Sequence, residues 1–171
     1  LFFKPDGLKM YVLGNSGNEV NEYTLSTAWD ISTAAFVQLF SVVAEATSPA
    51  GMFFKPDGYK MYIANGPGDD IYEYNLSTAW NVSTASYLQS IALTGLTYLQ
   101  DVFFKPDGLR MYALDLGVDV VQEYTLSTAW DISSATYTRQ ITTAEKDAAP
   151  RGMFFKPDGS KFYMGANGYD N

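Results

Sequence analysis

The chain contains no cysteine and no histidine among its 171 residues. Without cysteine it can form no disulfide, no thiolate nucleophile and no thiolate metal site. Without histidine it lacks the side chain that most often serves as a general base and as a zinc ligand. A Ser-His-Asp triad is therefore excluded, and the two absences together weigh against many classes of enzyme.

Basic residues are scarce: 11 lysines and arginines stand against 19 aspartates and glutamates, which gives a formal net charge of −8. Nucleic-acid binding depends on clustered cations that contact phosphates, so this charge argues against that class of partner. No apolar run is long enough for a membrane-spanning helix. The first residue is Leu1 rather than methionine, and we expect the chain to be cut from a longer protein.

Apolar residues are plentiful at 47%, aromatic residues make up 16%, and many of them recur in an internal repeat. The motif Phe-Phe-Lys-Pro-Asp-Gly occurs four times, at intervals of 51, 50 and 51 residues, beginning at Phe2, Phe53, Phe103 and Phe154. A second block, Glu-Tyr-Thr/Asn-Leu-Ser-Thr-Ala-Trp, occurs at the same phase in three units, beginning at Glu22, Glu73 and Glu123. The chain is therefore a tandem array.

Each unit predicts four β-strands, A to D, which in the second unit span residues 50–55, 59–64, 70–76 and 86–93. Pro56-Asp57-Gly58 predicts a tight turn between A and B, because proline fixes φ, aspartate bonds the backbone ahead and glycine accepts a positive φ. A Gly- and Asp-rich turn joins B to C. A longer connection, 77–81, joins C to D and is expected to contain a helical turn.

Large apolar residues stand side by side inside the predicted strands. Phe53 and Phe54 must face opposite sides of a strand, as must Met61 and Tyr62, so both faces of the sheet are expected to be covered. Radially stacked sheets meet this requirement. We therefore predict an all-β fold, a β-propeller of four-stranded antiparallel blades. One partial domain holds three complete blades and half of a fourth, with units at 1–49, 50–99, 100–150 and 151–171.

The pattern F-x-P-D-G-x-x-M/L-Y-V, followed by V-x-x-Y-x-L-S-T, resembles the repeats of YVTN/NHL/lactonase-like β-propellers. It is especially similar to uncharacterised repeats with a T-L-S-T-A-W-D-I-S-T-A core from environmental bacterial and phage proteins. WD repeats fit less well, because their period is shorter and they carry a Gly-His pair. The resemblance implies the fold, whereas propellers host many unrelated activities, so the function stays open.

Ring closure raises a question of assembly. Propellers close with roughly four to eight blades, so the predicted blades of one chain are too few. Strand B of the last unit, residues 160–165, would then form an exposed edge, which natural proteins avoid. We expect either that the chain is a fragment of a longer propeller or that copies of it assemble into a closed homo-oligomeric ring.

Loop variation suggests where a ligand site lies. In such a meander the A–B and C–D connections share one face, and they are nearly identical in every unit, which indicates a structural role. The B–C and D–A loops share the other face and differ between units. We expect ligand-binding residues there, near the axis, where the resemblance also implies the sites of lactonase-like relatives: Asn15, Asn18, Glu45, Asp69, Asp70, Asp101, Asp115, Asp119 and Arg151.

Several repeated residues allow two interpretations. The aspartate of Lys-Pro-Asp-Gly is expected to form the turn rather than bind a metal, and the lysine to be a solvated strand end rather than part of a basic ring. The tryptophans are expected to pack between blades rather than stack on sugars: Trp29, Trp80 and Trp130. Four residues stand at the same position of the repeat, near the end of the B–C loop, and we call them the column: Asn18, Asp69, Asp119 and Asp170. Their side chains could bind a cation, although we favour a turn in each loop.

The sequence favours a non-catalytic binding, adhesion or scaffold module whose partners are further copies of itself and a carbohydrate or other surface ligand. We expect it outside the cell or on a cell or virion surface. One alternative is a divalent-metal-dependent lactonase or hydrolase, in which Asp, Asn and Glu oxygens converge at the axis. Such oxygens suit Ca²⁺, although no known calcium-loop spacing is present and no other cofactor is indicated. Another alternative is a purely structural spacer.

Overall fold

The computed structural model describes residues 1–144 and 149–166. In this part of the chain the strands are β1 Phe2–Phe3, β2 Lys9–Gly14, β3 Glu19–Leu25, β4 Ala34–Ser41, β5 Pro49–Phe54, β6 Lys60–Asn65, β7 Asp70–Leu76, β8 Ala85–Ala92, β9 Leu99–Phe104, β10 Arg110–Asp115, β11 Val120–Leu126, β12 Ala135–Thr142, β13 Pro150–Phe155 and β14 Phe162–Ala166. Short 3₁₀ turns precede β4, β8 and β12, at Ile31–Thr33, Val82–Thr84 and Ile132–Ser134. Within the described ranges, no helix has the length and apolar character needed to span a membrane.

The strands form separate antiparallel sheets, each a simple meander. The first sheet contains β1 to β4, the second β5 to β8 and the third β9 to β12, while β13 and β14 form a two-stranded sheet. We call these sheets blades 1 to 4. The all-β fold of propeller blades predicted from the sequence is confirmed.

The predicted strand boundaries in blade 2 agree with the structure to within one residue. Strand C is found as predicted, as β7. The first hairpin turn is wider than predicted because Lys55 and Tyr59 belong to it, and the Lys55 N–H donates to the Lys60 carbonyl at 3.0 Å. The helical turn expected at 77–81 lies instead at Val82–Thr84, where the Asn81 side chain caps it. In blade 4 strand B begins at Phe162 rather than at residue 160.

Adjacent phenylalanines of the inner strand pack against opposite neighbours. Phe54 is fully buried and contacts Tyr11 of blade 1, with ring centroids 4.5 Å apart. Phe53 faces the other way and contacts Phe104 of blade 3 at 5.5 Å. Strands β5 and β9 touch each other, whereas β4, β8 and β12 are mostly exposed. Both faces of the inner sheet are therefore covered, as predicted, and the A strands are innermost.

A tryptophan covers the A–B turn of each complete blade. Trp80 has a φ of 63°, and its backbone N–H donates to the Gly58 carbonyl at 3.0 Å. The indole ring of Trp80 lies directly over Gly58. The A–B and C–D connections therefore share one face, as expected. Trp80 stacks on Phe2 of blade 1 and is 7% exposed, and Trp130 is buried in the same way. The predicted packing between blades is confirmed for both residues, while Trp29 of blade 1 is exposed.

The Lys-Pro-Asp-Gly motif is a structural turn. In blade 2, Oδ1 of Asp57 accepts a hydrogen bond from the Tyr59 N–H at 3.1 Å, and Nζ of Lys55 lies 2.8 Å from the other carboxylate oxygen. The same pairing of lysine and aspartate recurs in the other three units. The predicted turn role of the aspartate is confirmed, and each lysine pairs with its own turn.

A buried glutamate joins each blade to the next. Glu73 of β7 has no exposed surface and forms an ion pair with Lys60 of β6. Its second carboxylate oxygen accepts hydrogen bonds from the Gln89 side chain at 2.9 Å and from the Ile132 N–H, in the 3₁₀ turn of blade 3, at 3.3 Å. We call this set of contacts the inter-blade clasp. It satisfies a buried charge with groups from two blades, so the charge specifies how the blades meet.

The clasp repeats between blades 1 and 2. Glu22 pairs with Lys9 and accepts hydrogen bonds from the Gln38 side chain at 2.8 Å and from the Val82 N–H at 3.0 Å. A tyrosine on strand B of blades 1 and 2 donates a further hydrogen bond of 2.7 Å to a tryptophan carbonyl of the next blade: Tyr11 to Trp80 and Tyr62 to Trp130. Directional polar contacts therefore accompany the apolar packing at both junctions.

Replacing Gly58 with alanine is expected to destabilise the protein by about 3 kcal/mol, because a Cβ there would lie 2.4 Å from the indole of Trp80 as well as at a φ of 79°. Gly159 is the matched control. It also has a positive φ, 70°, but nothing lies within 4 Å of its Cβ position, so alanine should cost only about 1 kcal/mol. Urea unfolding measures both. Equal losses would show that the tryptophan contact does not matter.

The substitution Glu73→Gln is expected to lower the free energy of unfolding by about 3 kcal/mol, because it leaves Lys60 without its counter-ion in a buried clasp. Urea unfolding measures this loss, and the dependence of the free energy of unfolding on urea concentration should not change.

Glu123 provides the matched control. It pairs with Arg110 and Arg139, the second of which is 67% exposed, and the hydrogen bond from Arg139 lowers the pKa of its carboxyl. Glu123→Gln should therefore cost about 1 kcal/mol or less. A larger effect at Glu123 than at Glu73 would contradict the stabilising role of the clasp between blades.

Candidate functional site

The loops that vary between blades meet on the face opposite the A–B turns. In each complete blade a B–C carbonyl accepts a hydrogen bond of 2.8–2.9 Å from the residue after strand D: Asn18 from Val42, Asp69 from Leu93 and Asp119 from Thr143. The B–C and D–A connections therefore share one side of the sheets, as expected. We call this side the variable-loop face.

The column proposed to hold a cation consists of left-handed turn residues. Asn18, Asp69 and Asp119 have φ values of 50°, 58° and 52°, a conformation that Asn and Asp adopt more readily than other residues. This conformation agrees with the favoured turn interpretation. Their Oδ1 atoms are buried and have no hydrogen-bond partner among the described residues. Burial, together with Asp115, raises the pKa of the Asp69 carboxyl. Asp170 lies outside the described residues.

Asp115 holds the loop between β8 and β9 in place. It is fully buried, and its carboxylate accepts hydrogen bonds from three backbone N–H groups: Thr97 at 2.9 Å, Tyr98 at 2.7 Å and Val118 at 2.8 Å. Asn65 occupies the same position in blade 2 and accepts from the Ser48 N–H at 2.9 Å. These contacts assign Asp115 a structural task in shaping the variable-loop face.

Three other predicted residues form separate contacts on this face. The Asn15 side chain donates to the Pro49 carbonyl at 3.2 Å. Glu45 accepts from the Tyr74 hydroxyl at 3.2 Å. Asp70 accepts from the Tyr72 hydroxyl at 3.4 Å. Each of these side chains contacts its own neighbour, so they do not converge on one another.

Asp101 differs from the other predicted acids because it lies in the interior of a strand, whereas the others lie in loops or at strand ends. It is the third residue of β9, an innermost strand. Oδ1 accepts from the Val102 N–H and Oδ2 from the Met153 N–H of blade 4, both at 2.9 Å. Burial raises the pKa of its carboxyl to about 6, although these two N–H groups act in the opposite direction.

Asp101 also breaks the internal repeat. The equivalent residues of blades 2 and 4, two positions before the paired phenylalanines, are Gly51 and Gly152. A Cβ on Gly51 would lie 2.6 Å from Cα of Asp101, so the blades approach closely at this point. The repeat therefore builds the strand with glycine, and blade 3 places a partly buried carboxyl where its neighbours have no side chain.

Arg151 contacts the residue that precedes Asp101 on β9. Its side chain is exposed, and Nη1 donates to Oε1 of Gln100 at 3.3 Å. Gln100 immediately precedes Asp101 on β9, and Arg151 belongs to β13, which contacts β9. Of the predicted residues, Asp101 and Arg151 are thus brought onto two adjacent inner strands. Gln100 was missed by the sequence interpretation, since nothing in the repeat marks it.

Metal-ligand clusters are not found in the described ranges: no three acidic side chains there are placed to share one ion. Ca²⁺ is therefore not used in the function proposed below.

Known structures share the fold. A putative 6-phosphogluconolactonase from Bacteroides fragilis is 18% identical, with a TM-score of 0.66 over 95% of this chain and 46% of that chain. The periplasmic gluconolactonase of Pseudomonas aeruginosa is 15% identical, with a TM-score of 0.61 over 95% and 45%. Hydrazine synthase of Kuenenia stuttgartiensis is 19% identical, with a TM-score of 0.66 over 99% and 42%.

These likenesses support the lactonase-like propeller fold that the repeat resembles, and at such identities they show the fold alone. The chain spans about half the length of these structures. No known family matches the sequence, and no curated protein sequence matches it.

The raised pKa of Asp101 predicts how stability depends on pH. Between the ordinary value of 3.8 and about 6, the folded protein retains a proton that the unfolded chain releases. The free energy of unfolding should therefore fall as the pH rises through this window, by at most about 3 kcal/mol. The Asp101→Gly variant lacks this carboxyl and therefore the fall in stability that it causes. The free energy of unfolding of the variant, relative to that of the parent protein, should rise from pH 4 to pH 7.

Urea unfolding at four pH values measures the difference between the two proteins. Asp107 is the control of opposite sign, because hydrogen bonds from Lys105 and Leu109 lower the pKa of its carboxyl. Asp107→Asn should lose stability relative to the parent protein as the pH rises above the lowered pKa. Parallel curves for Asp101→Gly and the parent protein would show that Asp101 titrates normally.

Proposed function

We propose that the chain contributes to a lactone-hydrolysing propeller in which Asp101 activates the attacking water. The observation that carries the proposal is the Asp101 carboxyl, which is partly buried on an innermost strand where blades 2 and 4 have glycine. Two of the structures that share the fold are named as lactonases, one of them as putative. A lactonase needs a base near neutral pH, and burial has moved this carboxyl in that direction.

The proposed reaction is a simple hydrolysis. Each oxygen of the Asp101 carboxylate accepts one backbone N–H and retains a lone pair for a water molecule. The carboxylate takes a proton from water as the water oxygen bonds to the lactone carbonyl carbon. The ring C–O bond then breaks, and the released alkoxide takes up the proton, which gives the open hydroxy acid. The two backbone N–H groups fix the orientation of the carboxylate throughout.

Arg151 suggests an acidic substrate. Its guanidinium is exposed, and the contact with Gln100 holds it beside the strand that carries Asp101. Guanidinium groups bind carboxylate and phosphate in a bidentate manner. Phosphorylated lactones of sugar acids are therefore the substrate class that we propose.

Lactone hydrolysis by the 171-residue chain tests the proposal, with glucono-1,5-lactone and its 6-phosphate as substrates and a pH-stat as the readout. Asp101→Asn should reduce kcat by about 10²-fold or more, since the amide cannot accept the proton. Arg151→Gln should raise KM for the phosphorylated substrate more than for the neutral one. The rate should rise as Asp101 loses its proton, around pH 6.

Asp107→Asn is the control, because Asp107 forms an exposed turn on the other face of the blades. A rate no greater than spontaneous hydrolysis, or equal rates for Asp101→Asn and Asp107→Asn, would overturn the proposal.

A non-catalytic binding module is the second candidate. The observation in its favour is the division between the two faces: the A–B and C–D connections repeat almost unchanged, while the variable-loop face differs in each blade. Such a rigid frame with variable loops suits the recognition of a partner.

A further inference from the structure

A cavity of about 520 Å³ opens between blades 2 and 3 on the outer side of the sheets. One wall is formed by the end of β8 and the first residues after it, 91–95. The other wall is formed by the two outermost strands of blade 3, through Gln122, Tyr124, Ala135, Tyr137 and Gln140. We call this cavity the rim pocket. It is separate from Asp101, which lies on an inner strand, and its volume falls in the range of small-molecule sites.

The pocket results from three departures from the repeat. At the junction of blades 1 and 2, Phe40 packs edge-on against Tyr74 at 5.6 Å, and Tyr72 stands beside them. At the junction of blades 2 and 3, the smaller Ile91 replaces Phe40, and Gln122 replaces Tyr72.

The loop between strands D and A is also shorter at the second junction. Seven residues, 42–48, connect β4 to β5, and Glu45 in that loop binds the Tyr74 hydroxyl at 3.2 Å. Six residues, 93–98, connect β8 to β9, and Gly95 lies at the pocket. Side chains that fill the first junction are therefore smaller or missing at the second.

The polar groups of the pocket are held in place before any ligand arrives. Gln122 is 3% exposed, and its Oε1 accepts from the Tyr124 hydroxyl at 2.5 Å. Its Nε2 donates to Oε1 of Gln140 at 3.1 Å and lies 3.5 Å from the Thr94 carbonyl. Gln140 is exposed, so its amide reaches the pocket opening. The network therefore presents fixed amide groups at low cost in side-chain entropy.

The aromatic part of the wall is also arranged in a defined way. The rings of Tyr124 and Tyr137 meet edge-on, with centroids 6.0 Å apart. Tyr124 is 4% exposed, whereas Tyr137 is 51% exposed and presents ring surface to solvent. None of the lining residues carries a formal charge. The pocket thus combines an open aromatic ring, neutral amides and a backbone carbonyl.

We propose that the rim pocket binds one ring of a neutral carbohydrate. The C–H face of a sugar can pack on the exposed ring of Tyr137, while its hydroxyls bond to the Gln140 amide and the Thr94 carbonyl. A purely apolar ligand would displace water from the Gln140 amide and the Thr94 carbonyl without replacing its hydrogen bonds, and an acidic sugar would find no cation in the lining. Neutral carbohydrate is the ligand class that satisfies both parts of the wall.

The test is titration of the ¹⁵N-labelled chain with glucose, galactose, mannose and N-acetylglucosamine, with glucuronate as the charged comparison. At least one neutral sugar should shift the signals of residues 91–95 and 135–140, with a Kd of about 1 mM or below. Tyr137→Ala should weaken this binding about tenfold. Tyr87→Ala is the matched control, because Tyr87 holds the same position in blade 2, is similarly exposed and does not line the pocket.

A second variant refills the pocket. Gln122→Tyr restores the residue that blade 2 has at this position and should abolish binding while the protein remains folded. The proposal fails if no neutral sugar shifts these signals, if glucuronate binds equally well, or if Gln122→Tyr binds like the parent protein. Because the readout is binding at the rim, its outcome is independent of lactone hydrolysis at Asp101.

Discussion

Burial of both faces of the inner strands in blades 2 and 3 is the constraint on which this structure depends. Phe53 and Phe54 point to opposite sides of one strand, and a neighbouring blade must cover each of them. Apolar packing of this kind is strong but has little directional preference. The clasp fixes the relative orientation of the blades, because the carboxylate of Glu73 can accept the N–H of Ile132 in one arrangement only. Together they fix both the distance and the angle between blades, and loops can vary without loss of that frame.

The hairpins and the stacking could be predicted from the sequence because their causes are local. Pro56, Asp57 and Gly58 specify a turn within three residues, and two adjacent phenylalanines specify two covered faces. The predicted helical turn was placed a few residues too early, since the sequence does not show that Asn81 caps the residues after it rather than ending those before it. Such boundaries depend on a single side-chain hydrogen bond.

The candidate site could be predicted only in part because its causes are not local. Asp101 was recognised as an acid on the relevant side, but it was classed with the loop acids, and only the fold shows it between two glycines of neighbouring blades. Glu73 was visible as a repeated residue, yet its partner Ile132 lies 59 positions away. The rim pocket depends on small differences in side-chain volume, such as Ile91 in place of Phe40, which matter only once the two junctions are compared in space.

Repetition gives a physical criterion for separating structure from function in this chain. A residue that recurs from blade to blade serves a task that repeats with the blades, as the turn aspartates do in all four units and the clasp glutamates do at two junctions. A residue that departs from the repeat at a cost to stability cannot be explained in that way. Asp101 replaces glycine with a partly buried carboxyl, and the junction of blades 2 and 3 lacks the aromatic packing found at the preceding one. The first introduces a carboxyl where blades 2 and 4 have glycine, and the second introduces the Gln122 amide where blade 2 has Tyr72. The clasps hold the frame of the blades, so the chain can tolerate both departures from the repeat and remain folded.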